Sequence, residues 1–94
     1  MEKVPLDIRD VHEAELVSVL DLIDEFDRPR SPRPTDEELR CIFDSIVQSG
    51  GCVVGAIIDD GMMGTCTINI CANLSRSGRP YAIIENVVVI RPRL

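Results

Sequence analysis

Tyr81-Ala82-Ile83-Ile84-Glu85-Asn86-Val87-Val88-Val89-Ile90 is the stretch around which the rest of the chain is organised. Six of its ten residues are Ile or Val, and a short run that is apolar on both faces is typical of a strand inside a covered sheet. We therefore expect a central strand with a neighbour on each edge and cover on each face. The four residues after it, Arg91 to Leu94, supply no second neighbour.

The composition predicts one small globular domain. The 94 residues leave room for a single core, which buries a smaller fraction of its surface than the core of a larger protein. Apolar residues make up 45% of the chain and charged residues 28%, which excludes disorder throughout. No apolar run approaches the roughly 20 residues that cross a bilayer, and the acidic start at Glu2 is unlike a signal peptide. We expect a cytoplasmic protein.

The net charge and the cysteine spacing limit which ligands and metal ions the protein is expected to bind. A formal net charge of -6 argues against nucleic acid and anionic lipid, because both bind basic surfaces. Basic substrates or neutral amines fit better. The cysteines, Cys41, Cys52, Cys66 and Cys71, form no C-x-x-C pair, and the single histidine, His12, is far from them in the sequence. We expect no zinc site, buried and inert thiols, and a histidine at the surface.

The first 26 residues predict a strand and a helix. Val4 to Arg9 alternates between apolar and polar residues, and Pro5 limits this strand to an edge or to a late start. Asp10 and Glu13 have the spacing of a capping box, which opens a helix that runs to about Phe26. Its expected apolar face consists of Val11, Ala14, Leu16, Val17, Leu20 and Ile23. Its acidic outer face is either solvated or a docking surface for a cationic substrate.

A proline-rich connector separates this helix from a second one. Arg28 to Pro34 contains three prolines and three arginines in seven residues, which excludes a helix. The segment is either a solvated connector or a contact for an acidic or phosphorylated ligand. Thr35 and Glu38 form a capping box, and the helix that they open ends at Gly50-Gly51. Its apolar face is expected from Leu39, Ile42, Phe43, Ile46 and Val47.

The second half of the chain predicts strands. Cys52 to Asp59 is one strand, Asp60-Gly61 is a hairpin turn, and Met62 to Ala72 is the return strand. Gly64 indicates a bulge or a close backbone approach. One face of the return strand carries small groups, Thr65, Thr67, Asn69 and Cys71, which suits either a binding cleft or solvent. A polar loop from Asn73 to Pro80 leads into the last strand.

The resulting order, β-α-α-β-β-β, predicts an α+β fold with a mainly antiparallel sheet and two helices packed on it. This order, the Asp60-Gly61 hairpin and Gly64-Thr65-Cys66-Thr67 resemble the first half of the GNAT superfamily of acetyl-CoA-dependent N-acetyltransferases. The most specific stretch runs from Asn73 to Tyr81 and on into Ile84 to Val89. The resemblance implies that residues 1–94 are a single partial GNAT-like acyltransferase domain. The implied reaction is transfer of acetyl from acetyl-CoA to a primary amine by direct attack.

The resemblance also implies a phosphate-binding loop after the last strand. In the family an R/Q-x-x-G-x-G/A loop at a helix N-terminus holds the pyrophosphate of coenzyme A. The sequence ends at Arg91-Pro92-Arg93-Leu94, where this loop would begin. The 94 residues alone are therefore expected to be weakly active or inactive, with weak acetyl-CoA binding or none. The step from Glu85 to Pro92 is one residue longer than usual, which a bulge in the strand, a family feature, would absorb.

The resemblance gives roles to residues of the last two strands. Glu85 would be the catalytic base that removes a proton from the amine, as a partly buried carboxylate with a raised pKa could. Its structural alternative is an ion pair with an arginine or a hydrogen bond to Tyr81. The main chain of Val87, Val88 and Val89 would bind acetyl-CoA. The expected substrate-binding residues are Asn69, Arg79 and Tyr81, and Thr67 and Arg76 would lie nearby.

Two other interpretations of the sequence stay open. The same half-fold could be a non-catalytic interaction or dimerisation module, because an unpaired apolar strand is readily completed by a second copy. A homo-oligomer that forms through the last strand is expected on either interpretation. The chain could also be an unrelated α+β domain that shares only the order of its elements.

Overall fold

The structure is a computed structural model that describes residues 5–26 and 32–90. Its four strands form one antiparallel sheet in the order β1-β2-β3-β4. The predicted α+β class and the order β-α-α-β-β-β are confirmed. The elements are β1 (Asp7–Asp10), a 3-10 turn (Glu13–Glu15), α1 (Leu16–Phe26), α2 (Asp36–Gln48), β2 (Cys52–Ile58), β3 (Gly61–Cys71), a second 3-10 turn (Arg76–Gly78) and β4 (Tyr81–Val89).

The first helix begins later than the sequence predicts. Asp10 is the last residue of β1 and pairs with Val54 of β2, so it is not available as a helix cap. His12 takes the cap position instead, and its backbone N–H donates to Glu15 Oε1 at 2.9 Å. The predicted Asp10 and Glu13 capping box is therefore wrong. Val4, the first residue of the predicted strand, lies outside the described residues.

The later start also changes which helix face is buried. Leu16, Val19 and Leu22 are the buried residues of α1, whereas Ala14 and Val17 of the expected apolar face are exposed. The buried core consists of Val11, Leu16, Val19 and Val53. The core thus joins the first helix to the beginning of β2 at Val53, and a helix that began at Asp10 would have turned a different face to the sheet.

The connector between the helices is anchored where it is described. Arg33 Nε donates to Asp24 Oδ2 and Arg33 Nη2 donates to Asp21 Oδ1, both at 2.7 Å. The chain's own arginine therefore occupies part of the acidic face of α1, rather than staying solvated as expected. The earlier part of the connector, residues 27–31, lies outside the described residues.

Both predicted ends of α2 are confirmed. The Thr35 Oγ1 accepts from the Glu38 N–H at 3.1 Å, and the Thr35 N–H donates to Glu38 Oε1 at 2.9 Å. At the other end the Gly50 N–H bonds the Val47 carbonyl, and the Gly51 N–H bonds the Ile46 carbonyl, both at 3.0 Å. Gly50 has φ 93°, the left-handed conformation that closes a helix and that glycine adopts without strain.

The β2–β3 hairpin turns one residue earlier than predicted. Asp59 and Asp60 have φ of 49° and 63°, and Ile58 pairs with Gly61 across the turn. Two central residues with positive φ define a type I′ turn, which aspartate tolerates. The central dipeptide is therefore Asp59-Asp60, and the prediction of Asp60-Gly61 was wrong by one position.

The predicted irregularity at Gly64 is confirmed. Ala56 pairs with Gly64, but Ile57 pairs with Met62, so Met63 is the extra residue of a bulge in β3. A Cβ atom at Gly64 would lie 3.2 Å from the Val88 carbonyl oxygen. The absence of a side chain thus allows β3 and β4 to approach closely here.

The last strand is present but not covered as expected. Tyr81–Val89 pairs with β3 along its length, yet within the described part of the chain β4 has no neighbour on its other edge. Of its nine residues, all except Val88 are exposed. For the described residues, the expectation of a central strand covered on both faces is wrong, because both helices pack on one side of the sheet.

The thiols are less buried than expected. Cys41 is exposed, and Cys52, Cys66 and Cys71 are half-buried without disulfides. Burial raises the pKa of the Cys52 thiol, and the charge of Asp10 adds a smaller effect. Cys52 is therefore kept protonated and less reactive. None of the described helices has the length and apolar character that a membrane crossing requires.

Candidate functional site

A groove of about 690 Å³ lies between the two helices and the sheet. The helical wall is mainly apolar and includes Leu20, Ile23, Leu39, Ile42, Phe43 and Ile46, with Ser45 and Ser49 as its polar side chains. The floor, formed by β3 and β4, includes the polar or small side chains Thr67, Asn69, Cys71, Glu85 and Asn86. This volume lies within the range of about 300–1,000 Å³ that is typical of small-molecule sites.

The alternation of β3 places its polar face under the helices. Thr65 and Thr67 are buried, and the Thr65 hydroxyl donates to the Val54 carbonyl oxygen at 2.9 Å. Thr67 and Asn69, further along the same face, line the groove. The sequence left open whether this face meets solvent or a cleft, and the structure shows a cleft.

Glu85 reaches the groove floor through its pairing with Thr67. The side chain is exposed rather than partly buried. Among residues 5–26 and 32–90, no arginine forms an ion pair with it and Tyr81 donates no hydrogen bond to it, so the structural alternative is not observed there. It is also the one charged side chain among the described residues that line the groove. A ligand amine could therefore approach this carboxylate directly.

A bulge in β4 directly follows Glu85. Thr65 pairs with Val88 and Thr67 with Glu85, so a single residue of β3 lies opposite two residues of β4. Asn86 within the bulge has φ 54°. The predicted bulge in this strand is confirmed, and it re-aims the backbone at the point where the groove ends.

Beyond the bulge, the backbone N–H and C=O groups of successive β4 residues point alternately at β3 and at the outer edge of the sheet. The Ile90 N–H donates to the Met63 carbonyl at 2.8 Å, so Ile90 and, by strand alternation, Val88 direct their polar main-chain groups at β3. Val87 and Val89 then direct theirs at the outer edge, where their side chains are 66% and 76% exposed. An open row of N–H and C=O groups suits an extended ligand arm such as pantetheine. Of the three predicted cofactor-binding residues, Val87 and Val89 therefore direct their main-chain groups away from β3, where an extended ligand could bind them, whereas Val88 directs its groups at β3.

The predicted substrate residues are only partly brought together. Asn69 lines the groove floor beside Glu85. Tyr81 pairs with Cys71 at the start of β4, four residues or about 13 Å along the strand from Glu85. Neither Tyr81 nor Arg79 lines the groove among the described residues, and both are exposed, as is Arg76.

Two features of the site escaped the sequence reasoning. Asn86 was not singled out, although asparagine is one of the few residues that enter the left-handed region readily. The apolar wall on α2, which includes Ile42 and Phe43, was interpreted only as a packing face. Periodicity identifies an apolar helix face, but it does not show whether the face meets a core or a cavity. The part of the chain that the structure describes holds no cluster of three His, Cys, Asp or Glu suited to a metal ion.

No protein-family model and no curated protein matches the sequence. Solved structures do match it. An acetyltransferase of Trypanosoma brucei has a TM-score of 0.74 and 26% identity over 92% of this chain and 61% of that chain. A protein of Agrobacterium tumefaciens, provisionally assigned as an acetyltransferase, has a TM-score of 0.69 and 30% identity over 89% of this chain and 58% of that chain. Glucosamine-6-phosphate N-acetyltransferase of Arabidopsis thaliana has a TM-score of 0.72 and 20% identity over 92% of this chain and 60% of that chain. That likeness shows the fold alone.

These likenesses show that the chain has the fold of an acetyltransferase. The fold is that of the GNAT superfamily, as the hairpin and the last strand of the sequence indicated. The chain spans about 60% of the length of the structures that it matches.

Proposed function

We propose that this chain is part of an N-acetyltransferase that transfers acetyl from acetyl-CoA to a primary amine. The observation that carries the proposal is the position of Glu85, on the floor of the groove directly before the β4 bulge. Beyond the bulge, the main chain of Val87 and Val89 is open at the edge of the sheet. The likeness to solved acetyltransferases supports the same reaction class. The unpaired cysteines suit a reducing compartment, and we place the protein in the cytoplasm.

The outward main chain would hold the acetyl donor. Acetyl-CoA supplies an acetyl group as a reactive thioester. The N–H and C=O groups of Val87 and Val89 would bind its extended arm, so that aliphatic side chains suffice at these positions. A backbone N–H aimed at the acetyl carbonyl oxygen would stabilise the negative charge that develops there during attack.

Glu85 would prepare the acceptor. A primary amine is protonated at neutral pH and must lose a proton before its lone pair can attack. The Glu85 carboxylate would accept this proton directly or through a water molecule. The new C–N bond then forms as the C–S bond breaks, the nitrogen releases its second proton to solvent, and the departing thiolate of coenzyme A takes up a proton from solvent.

Asn69 would orient the acceptor from the groove floor, where it pairs with Ile83 and is thus a diagonal neighbour of Glu85 on the same face of the sheet. Arg79 and Tyr81 lie outside the groove. Their predicted contact with substrate would therefore involve a part of the acceptor that extends toward the start of β4.

The role of Glu85 is tested with Glu85→Gln. We expect this change to lower acetyl-CoA-dependent acetylation of a primary amine by about 100-fold or more, because general-base catalysis contributes roughly 10² to 10⁴. The measurement follows the thiol of released coenzyme A and the mass of the product, and the melting temperature is recorded in parallel. Glu37→Gln, an exposed carboxylate on α2 that does not line the groove, should keep full activity. The assay uses the acetyltransferase of which this chain is proposed to be part, and a Glu85→Gln variant that keeps the wild-type rate of acetylation would remove Glu85 from the mechanism.

A second function is favoured by a separate observation. Ile84, Val87 and Val89 on β4 are 62%, 66% and 76% exposed. An apolar strand with a free edge is a template for pairing with another chain. We propose a homo-oligomer that forms through this strand, either as a non-catalytic dimerisation module or as the assembled form of the enzyme.

A further inference from the structure

We propose that the acceptor is a monoamine with an apolar body of several carbon atoms, selected by the α2 wall of the groove. This inference rests on the proposed function only in placing the reactive amino group at Glu85. The groove is divided by polarity: its floor beside Glu85 carries Thr67 and Asn69, whereas the facing wall is aliphatic and aromatic apart from the hydroxyl groups of Ser45 and Ser49. A ligand with one polar end and one apolar end matches this division.

The α2 wall is mainly apolar, but none of its side chains is fully buried. The helix has no buried residue, although Leu39, Phe43 and Ile46 contact the edge of the core as half-buried side chains. Ile42 of the same wall is 48% exposed and faces the groove. Covering this wall with hydrocarbon removes apolar surface from water, which is favourable in proportion to the area covered. The groove therefore favours an apolar ligand body over a polar one.

The charges of the groove set the number of amino groups. Glu85 is the one ionisable carboxylate on the described lining, and no lysine, arginine or histidine lines it there. A second ammonium group on the ligand would lie against the α2 wall with no carboxylate partner, and desolvating an unpaired charge is costly. A hydroxyl-rich acceptor would leave most of its hydroxyl groups against side chains such as Leu39 and Ile42, because Ser45 and Ser49 are the polar side chains of this wall and the Ser49 hydroxyl already donates to the Ile46 carbonyl. Polyamines and sugars are thus disfavoured.

Binding of amines to the 94-residue chain tests the inference without any acetyl donor. The probes are n-butylamine, n-hexylamine and n-octylamine, titrated into isotope-labelled protein and followed by NMR. We expect the dissociation constant to fall by about threefold for each added methylene, with methyl shifts at Ile42 and Ile83 of the groove lining. 1,6-Diaminohexane should bind at least about tenfold more weakly than n-hexylamine, because its second charge has no partner.

Two substitutions in α2 compare the effect on amine binding of a groove-lining residue with that of an equally exposed residue outside the groove. Ile42 and Val47 are 48% and 49% exposed, but Ile42 lines the groove and Val47 does not. Ile42→Ser should weaken n-hexylamine binding by about fivefold or more, and Val47→Ser should leave it unchanged. Equal effects of the two changes, or affinity that does not depend on chain length, would overturn the proposal. Tight binding of the diamine would also overturn it.

The experiments distinguish an error in the proposed ligand class from an error in the proposed acetyltransferase function. Amine binding that depends on alkyl-chain length, without acetyl transfer by the whole protein of which this chain is proposed to be part, would refute the enzymatic role and leave the ligand class standing. Acetyl transfer to polar amines, with no gain for longer alkyl chains, would refute the ligand class and leave the acetyltransferase standing.

Discussion

At the scale of single residues, Glu15 has the most strongly shifted ionisation in the described chain. Its two carboxylate oxygens accept from Arg9 Nη1 and Nη2, both at 2.7 Å, and Oε1 also accepts the His12 N–H at 2.9 Å. The Arg9 hydrogen bonds, followed by the His12 N–H, lower the pKa of Glu15 from 4.5 to about 2. This residue therefore ties β1 to the start of the first helix through its ionised form.

Glu15→Gln should make the protein less stable at neutral pH but not in strong acid. The folded-state pKa lies below the unfolded value, so the stabilisation is complete above about pH 4.5 and disappears as the pH falls toward 2. Thermal unfolding of wild type and variant at pH 7, 4.5, 3 and 2 should show a difference in melting temperature that shrinks with each step. Glu25→Gln, exposed and without a partner in the described ranges, is the control. A difference that is constant with pH would contradict the assignment.

At the scale of elements, α2 combines partial packing with a well-formed N-terminal cap. It contributes no fully buried residue, although Leu39, Phe43 and Ile46 pack against the core as half-buried side chains. The hydrogen bond from the Thr35 N–H, together with the bond to the Thr35 side chain, lowers the pKa of Glu38. Both halves of the box are thus formed at neutral pH.

Thr35→Ala should lower the free energy of unfolding by about 1 kcal/mol, because the Glu38 N–H loses its acceptor. Urea unfolding followed by circular dichroism measures this change. Thr35→Ser keeps the hydroxyl acceptor and should cost much less. If alanine and serine at this position proved equally stable, the hydroxyl would not be the stabilising group, and packing of α2 would have to explain its position.

At the scale of the whole molecule, the sheet has two unlike faces. The helices and the groove cover one face, whereas Ile8 and Ile84 on the other face are 65% and 62% exposed. Contiguous apolar surface of this kind usually marks an interaction surface. The open edge of β4 lies beside it, so face and edge could be covered together by a second copy.

Oligomer formation through β4 is checked by light scattering after size-exclusion chromatography over a dilution series. We expect a dimer or larger species that dissociates on dilution. Ile84→Lys should shift the midpoint to at least about tenfold higher protein concentration, because it places a charge on the contact surface. Leu74→Lys, at a fully exposed loop position, should have no effect. A monomer at every concentration would rule out this assembly.

The sequence predicted a feature correctly when the residues that form it are close together along the chain and no distant segment competes for them. Thr35 and Glu38 are three positions apart, and their capping box formed as predicted. Asp10 and Glu13 have the same spacing, but Asp10 pairs with Val54 in the sheet, the Glu13 carboxylate lies 3.2 Å from Arg40 Nε, and His12 takes the cap position. A local pattern fails where a distant strand competes for the same backbone.

The exact position of the hairpin turn and the geometry of the candidate site also depend on residues that are distant in the chain. The turn was located to within one residue, but its final position depends on the β2–β3 register, which contains the bulge at Met63. Glu85 was identified from its family resemblance alone. Its place in the groove depends on its pairing with Thr67 and on both helices covering that face.

The sequence by itself determined the type and order of the elements, the ends of α2 and the two polarities of β3, because these depend on neighbours within a few positions. The tertiary structure alone decided which face of β3 lies under the helices, and that the wall of α2 borders a groove rather than a packed core. It also decided that β4 lies at the edge of the described sheet. These features depend on register and packing between segments that are distant in the chain, and alternation or periodicity within one segment is the same whichever face is covered.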